Sequence, residues 1–482
     1  MLFLVLCIPD AVYLPPHAGA TGHEPFVWDR DASWTSLEST FVRIRNQGCP
    51  SAEARSRELL DRFDHDLAVL PGKRSGPESA VFERLETDVF SLAPYAAACP
   101  GILPGFSERV ARLRDLLKRQ SEGWEMTDPR SRVMLYRLLY GSRGAVEEAM
   151  LQSPPDSTAA ALTVGTDEPS ATPSAMLLGM ALHSGDILVS RGGAPTSALI
   201  ARGNDFPGNF SHVAMAWVDP KLRVIRIIES HIERGVAVST ADEYLQDTKL
   251  RVMVLRLRAD LSALRTDPLL PHRAASFALG RATGGHIPYD FAMNWSDTTR
   301  YFCSEVVSDA YRRFGVRLWM DMSRISSPGL RRWLADFGVR HFTTQEPSDL
   351  EYDPQIRVVG EWRDPETLRQ DHVDNAVTEA MLEGAEHGDV LSYSWYELPL
   401  ARAVKGWSLL LNWFGRVGPV PEGMSAASAL KHQTYVRRHG EAKRSVLRMA
   451  ETFRRGHGYT PPYWRLLTFA RIALSGNARS VR

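Results

Sequence analysis

Apolar positions fall at helical spacing over the first third of the chain. Glu53 to Leu70 carries Leu59, Leu60, Phe63, Leu67 and Leu70 three or four residues apart, the interval that lines up side chains on one helix face. Phe106 to Leu117 repeats the pattern with Val110, Leu113 and Leu117, and Arg132 to Met150 does so again. Residues 25–150 are therefore expected to form a helical accessory domain, with no polar constellation that asks for chemistry. Residues 151–175 break the pattern. They are rich in Ser, Thr, Pro and Ala and nearly free of large apolar side chains, which is linker composition.

From residue 176 short apolar runs replace the helical spacing. Gly185 to Val189, Ser211 to Val218, Arg223 to Ser230 and Val252 to Leu257 read as strands. His272 to Thr283 reads as a helix. So does Asp297 to Phe314, ended by Gly315, with Cys303, Val306, Val307, Ala310 and Phe314 on one face. Residues 176–350 thus predict an α+β domain. Residues 351–482 turn helical again, over Leu368 to Glu383, Leu398 to Trp413 and Ser425 to Arg454, with Ser425 suited to cap the last of these. Trp407 to Phe414 is dense in Leu and Trp. It reads either as a buried tertiary face or as a membrane-surface contact.

Composition narrows the function classes. The 482 residues are 44% hydrophobic and 24% charged, as in ordinary globular proteins. Lys+Arg and Asp+Glu are both 57, so no basic excess favours a nucleic-acid partner. The four cysteines are Cys7, Cys49, Cys99 and Cys303, with no CxxC and no HExxH in the chain. Neither a metal nor another cofactor is expected. Cys49 and Cys99 either bridge the helical domain, which would imply an oxidising compartment, or stay two separate thiols. In both readings Cys303 is unpaired. Met1 to Ile8 is apolar but too short to span a bilayer and has no Lys or Arg before it. It reads as an incomplete export signal, so the expected location is the cell envelope or outside the cell, and otherwise the cytoplasm.

The chemistry converges on Cys303 in Arg300-Tyr301-Phe302-Cys303-Ser304-Glu305, near a helix head, and on His212 in a strand about ninety residues earlier. Helix N-termini carry partial positive charge and unpaired N–H groups, which favour a thiolate. Between the two strands, Asp219-Pro220-Lys221-Leu222 suits a type I turn. Pairing Val218 with Arg223 then sets His212 opposite Glu229, on one face. A one-residue slip would move Glu229 to the other face. The expected roles are Cys303 as nucleophile, His212 as base and then acid, and Glu229 as the residue that orients His212. The Cys303 N–H is the one oxyanion donor that can be named.

Three blocks carry a resemblance. They are His183-Ser184-Gly185-Asp186-Ile187-Leu188-Val189, Phe210-Ser211-His212-Val213-Ala214-Met215 and Tyr301-Phe302-Cys303-Ser304-Glu305-Val306-Val307, with Pro288-Tyr289-Asp290-Phe291 before the last. They resemble the permuted NlpC-type cysteine peptidases of the papain-like superfamily, in which the histidine strand precedes the cysteine helix. The resemblance covers roughly Leu177 to Phe342. It implies a circularly permuted papain-like catalytic domain flanked by helical regions. It also implies metal-free hydrolysis of an amide or ester by a triad matching Cys303, His212 and Glu229. The expected substrate is a cell-wall peptide or an N-acyl amino acid. The alternatives are a lipid acyltransferase or esterase of the lecithin–retinol acyltransferase type, and a non-catalytic binding module. Tyr289 is assigned to the substrate cleft, with core packing as the other reading. Asp186 reads as a structural turn residue. His183, His231 and His286 compete with His212 but are less well placed on strands.

Overall fold

The structure is a computed structural model, and it describes residues 15, 24–28, 31–153 and 161–479. The N-terminal apolar run with Cys7, and the export signal expected there, lie outside the described residues. The helical spacing of the first third becomes the helices Asp31–Gln47, Cys49–Val69, Ala80–Ala98, Leu103–Gln120, Pro129–Leu135 and Gly141–Gln152. Leu59, Phe63, Leu67, Val110, Leu113 and Leu117 all enter one core. Cys49 opens the second of these helices and Cys99 follows the third. The two are joined by a disulfide with Cα atoms 5.6 Å apart.

The strands are β1 (Leu162–Val164), β2 (Ser174–Leu177), β3 (Met180–His183), β4 (Ile187–Gly192), β5 (His212–Val218), β6 (Ile225–His231), β7 (Gly235–Thr240), β8 (Lys249–Leu257), β9 (Ser323–Arg324), β10 (Thr343–Thr344) and β11 (Ile356–Arg363). Seven of them form one antiparallel sheet in the order β1-β11-β8-β4-β5-β6-β7. Side chains alternate between the faces of a strand, and each face has its own core. On one, Val189, Val213, Met215, Ile228 and Met253 pack against Val306, Val307 and Ala310 of the Cys303 helix. On the other, Leu188, Ala214, Ala216, Ile227 and Val254 pack against Tyr244 and Leu182. The mixed α+β architecture with helical flanks is as the sequence implied.

Two parts of the expected organisation differ. Leu162–Val164, inside the stretch read as a linker, is the edge strand of the sheet. Ile356–Arg363, read as the start of the helical C-terminal part, is the next strand in. Its alternation is hidden because charged residues occupy buried positions. Arg357 pairs with Glu122, and Glu361 with Arg114 at 3.0 Å. Both partners lie in the N-terminal helices, where no local pattern reveals them. The same helices are clamped to the sheet through Arg251, which contacts Glu147 at 2.6 Å and Asp371 at 2.6 Å. Asp371 also meets Arg191 at 3.1 Å.

The C-terminal helices are Pro365–Glu386, Leu398–Trp413, Ala426–His457 and Tyr463–Arg479. Ser425 caps the third, its hydroxyl accepting from the Ser428 N–H. Val373, Val377, Tyr435, Val446 and Leu466 from these helices share a core with Leu330 and Trp333. Among the described residues, no helix is long and apolar enough to cross a membrane.

Candidate active site

The helix expected from Asp297 begins at Cys303 and runs to Arg312. Residues 297–302 are held in turns instead. The Asp297 carboxylate accepts from the Thr299 N–H and hydroxyl, an arrangement that competes with helix. The Tyr301 N–H bonds the Pro288 carbonyl, and the Tyr301 carbonyl accepts from the Ser230 hydroxyl at 2.6 Å. The helix head is thereby pinned to β6. Glu305 reaches back to the Phe302 N–H at 2.7 Å, half of a capping box that the Phe302 side chain cannot complete. The later start places Cys303 in the first turn, among unpaired N–H groups.

The hairpin register is two residues longer than the turn suggested. Val218 pairs with Ile225, not Arg223, and Glu229 lies opposite Ala214, not His212. The Asp219 carboxylate accepts from the N–H groups of both Lys221 and Leu222, while Arg223 adopts φ 56°. A left-handed residue after a type I turn lengthens such loops. A shift of two preserves the face, so Glu229 is a diagonal neighbour of His212 on the same side. Its Oε2 lies 2.8 Å from His212 Nε2. Its Oε1 accepts from the Ser239 hydroxyl at 3.0 Å and lies 3.2 Å from His231 Nε2. The His212 and His231 rings are 5.8 Å apart. His231, set aside in the sequence as a rival of His212, is a second partner of Glu229.

Glu229 is 1% exposed. Burial alone would raise its pKa, but the hydrogen bonds from His212 and His231 outweigh burial and hold it far below the carboxylate range. An ionised Glu229 accepts a hydrogen bond from Nε2–H, which leaves Nδ1 of His212 as the basic nitrogen. Burial lowers the His212 pKa, against the pull of Glu229.

Cys303 is buried and unpaired. Burial pushes its thiol up to about 12, opposed by the Val213 N–H and by Ser304. Burial thus works against the thiolate that a helix N-terminus favours. By strand alternation His212 shares the face of Leu188 and Ala214, whereas the Cys303 helix packs on the face of Val213. Thiol and imidazole thus approach β5 at adjacent residues from different sides. Among the described residues no hydrogen bond joins them.

Tyr289 is half-buried and packs edge-on against Phe291 with ring centroids 5.0 Å apart. Burial, and then the charge of Cys303, raise its pKa well above the usual value. Glu346 is a residue that sequence reasoning missed. It is 3% exposed, and its Oε2 has no hydrogen-bond partner among the described residues. Burial pushes its carboxyl well above the usual range, and Glu346 is among the groups that raise the pKa of both Cys303 and Tyr289. Ser348, two residues on, bonds the Phe210 N–H at 2.8 Å and its carbonyl at 2.9 Å, which ties this segment to the entry of the His212 strand. A lone acidic residue in a loop gives no pattern to read.

Asp186 is structural, as the sequence suggested. It receives Arg256 at 2.8 Å on each carboxylate oxygen, together with the His183 N–H. The His183 ring bonds the Thr172 carbonyl, and His286 pairs with Glu422 at the surface.

Residues 181–359 match the family described as permuted papain-like amidase enzyme, YaeF/YiiX, C92 family. No curated protein matches the chain. Among solved structures, the metalloprotein yiiX from Escherichia coli O157:H7 aligns at 19% identity over 38% of this chain and 98% of that chain, with a TM-score of 0.30. Among the described residues here, no group of three or more His, Cys, Asp and Glu side chains is placed to hold a metal ion.

Proposed function

We propose that the segment 181–359, which matches the permuted papain-like amidase family, hydrolyses an amide bond through Cys303, His212 and Glu229. The observation that carries this reading is the His212–Glu229 pair, 2.8 Å between Nε2 and Oε2, at the start of the strand on which the Cys303 helix packs. Thiol and imidazole are both neutral at rest, so the nucleophile is made on demand. Once substrate binding brings the imidazole to the thiol, the Cys303 proton passes to His212 Nδ1 as sulfur attacks the carbonyl carbon. The oxyanion is met by the Cys303 N–H at the helix head. His212 then gives its proton to the departing amine nitrogen, leaving a thioester. Water, deprotonated by His212, cleaves the thioester and restores the thiol. Hydrogen bonds of this kind often tighten only when substrate binds.

The substrate class that suits such a site is a cell-wall peptide or an N-acyl amino acid, with Tyr289 lining the cleft. A second reading, acyl transfer from or hydrolysis of a lipid ester, is favoured by the exposure of Trp407, Trp413 and Phe414. The Cys49–Cys99 disulfide supports a place in the cell envelope or outside the cell. Mass spectrometry tests the reaction directly. Cell-wall peptides, N-acyl amino acids and acyl lipids, incubated with the enzyme and with Cys303→Ala, should give a Cys303-dependent product or a trapped acyl adduct on Cys303. Turnover that survives Cys303→Ala would overturn the proposal.

A further inference from the structure

His212 opens β5, where the sheet supports it from one side. β5 pairs with β4 from His212 onward but with β6 only from Ala214 onward. Just ahead of the strand, Ser348 adds an anchor from outside the sheet. Its hydroxyl accepts from the Phe210 N–H at 2.8 Å and donates to the Phe210 carbonyl at 2.9 Å. One side chain thus satisfies both backbone groups of a fully buried residue two positions before His212. The packing there is close: a Cβ on Gly208 would lie 2.1 Å from the Ser348 Oγ.

Ser348 is in turn held from the N-terminal helices. It lies in the turn Pro347–Tyr352, whose two acidic residues, Asp349 and Glu351, are buried. Three buried cations reach this turn from three helices. Arg132 of Pro129–Leu135 pairs with Asp349 and lies over the Tyr352 ring at 4.4 Å. Arg143 of Gly141–Gln152 pairs with Glu351 and lies over the Phe210 ring at 5.4 Å. Lys118 of Leu103–Gln120 donates to the Glu351 carbonyl at 2.6 Å and to the Asp353 carbonyl. A buried carboxylate stripped of its cation is strongly destabilised, so the place of the turn depends on those helices.

Support therefore runs from Lys118, Arg132 and Arg143 through the turn to Ser348, and from Ser348 to Phe210. Only Ser211 separates Phe210 from His212, and its N–H bonds the Ser190 carbonyl at 2.9 Å. A shift of the Phe210 backbone passes along this short segment to His212, whose ring must stay within hydrogen-bond reach of Glu229. Glu229 cannot follow, because Ser239 and His231 hold its other oxygen. A displacement of about 1 Å in such a site is enough to cost on the order of a hundredfold in rate.

We propose, resting on the role given to His212 above, that Ser348 is a positioning residue for His212 and that the N-terminal helices act on the reaction by holding the turn that carries it. The first readout needs no activity. In NMR spectra of the full chain, the His212 Nε2–H proton bonded to Glu229 gives a downfield signal, identified by its loss in His212→Ala. Ser348→Ala should abolish that signal while circular dichroism stays as in the wild type. Ser348→Cys, whose thiol is a weaker donor and acceptor, should weaken it and serves as the test if the alanine variant does not fold. Arg143→Met with Glu351→Met, which strands no buried charge, should weaken it as well. The second readout is hydrolysis of p-nitrophenyl acetate as an acyl probe, whose Cys303-dependent rate should fall about tenfold or more in Ser348→Ala. A wild-type protein with no Cys303-dependent rate would overturn the catalytic reading of the site, and the ring signal would still decide whether Ser348 positions His212. A ring signal of wild-type strength in the Ser348 variants would overturn the proposal. The same result in the double variant would overturn the part given to the N-terminal helices.

Discussion

Glu229 reaches His212 diagonally across the β5–β6 pair, with Oε2 2.8 Å from Nε2, although Ala214 is the residue directly opposite it. The carboxylate is fixed from its other oxygen by Ser239 and His231, so it cannot follow the imidazole if the ring turns. Glu229→Gln keeps the shape but replaces a carboxylate with an amide that can also donate, and the His212 tautomer is no longer dictated. We expect kcat/KM to fall about 10^2–10^4-fold with a much smaller change in KM. His231→Ala, which removes only the second partner, should cost far less. Steady-state kinetics on both variants checks the order, and equal losses would show that Glu229 does not act through His212.

Cys303 should behave as a protonated thiol in the free enzyme. With its pKa pushed up to about 12 by burial, the alkylation rate by iodoacetamide should keep rising from about pH 6 to about pH 9 without a plateau. A plateau at acidic pH would reveal a standing thiolate. Stability carries the same signature. The unfolded thiol titrates near about 8.5, so above that pH the folded state holds a proton that the unfolded state has lost. Stability therefore falls as pH rises from there toward 12. Cys303→Ser, which does not titrate in this range, should show a shallower loss in denaturant melts at alkaline pH.

The site was legible where local pattern and chain order suffice. The alternating strand at His212, the amphipathic helix behind Cys303 and the order of the two all stand in single segments. Glu229 was found on a mistaken register, because the face of a strand depends only on even or odd shifts, and the Asp219–Val224 loop added two. What stayed hidden depends on distant partners. Glu346 reaches the site through Ser348 and Phe210. The strand Ile356–Arg363 buries charges that only Glu122 and Arg114 neutralise. No window of sequence contains both ends of such a contact. The upward push on the Cys303 pKa is hidden for a related reason, since the burial that causes it comes from the whole surrounding core.

Asp186→Asn should unfold the domain more readily without touching its chemistry. Asp186 is 1% exposed, receives two 2.8 Å hydrogen bonds from Arg256, and accepts the His183 N–H as well. The amide leaves the buried guanidinium without its counter-charge, a loss of about 3–5 kcal/mol for such pairs. Chemical denaturation measures the loss. Activity per folded molecule, normalised by active-site thiol titration, should stay near wild type. A selective fall in that activity would mean that Asp186 takes part in the reaction.

The disulfide should stabilise the helical part and leave the site alone. Cys49 and Cys99 are 50 residues apart in sequence, and closing a loop of that length removes about 4 kcal/mol of unfolded-state freedom in the chain-entropy model. The bridge lies beside Ile44 and Ala52, in a small cluster of the N-terminal helices, whereas the Cys303 helix packs on the central sheet. Cys49→Ser with Cys99→Ser should lower the melting temperature and leave wild-type kcat at ambient temperature. Treating the wild-type protein with reductant should reproduce the same shift and release two additional titratable thiols under denaturing conditions. An unchanged melting temperature with no additional thiols would show that the bridge does not form in solution, and would remove the support that it gives to an oxidising compartment.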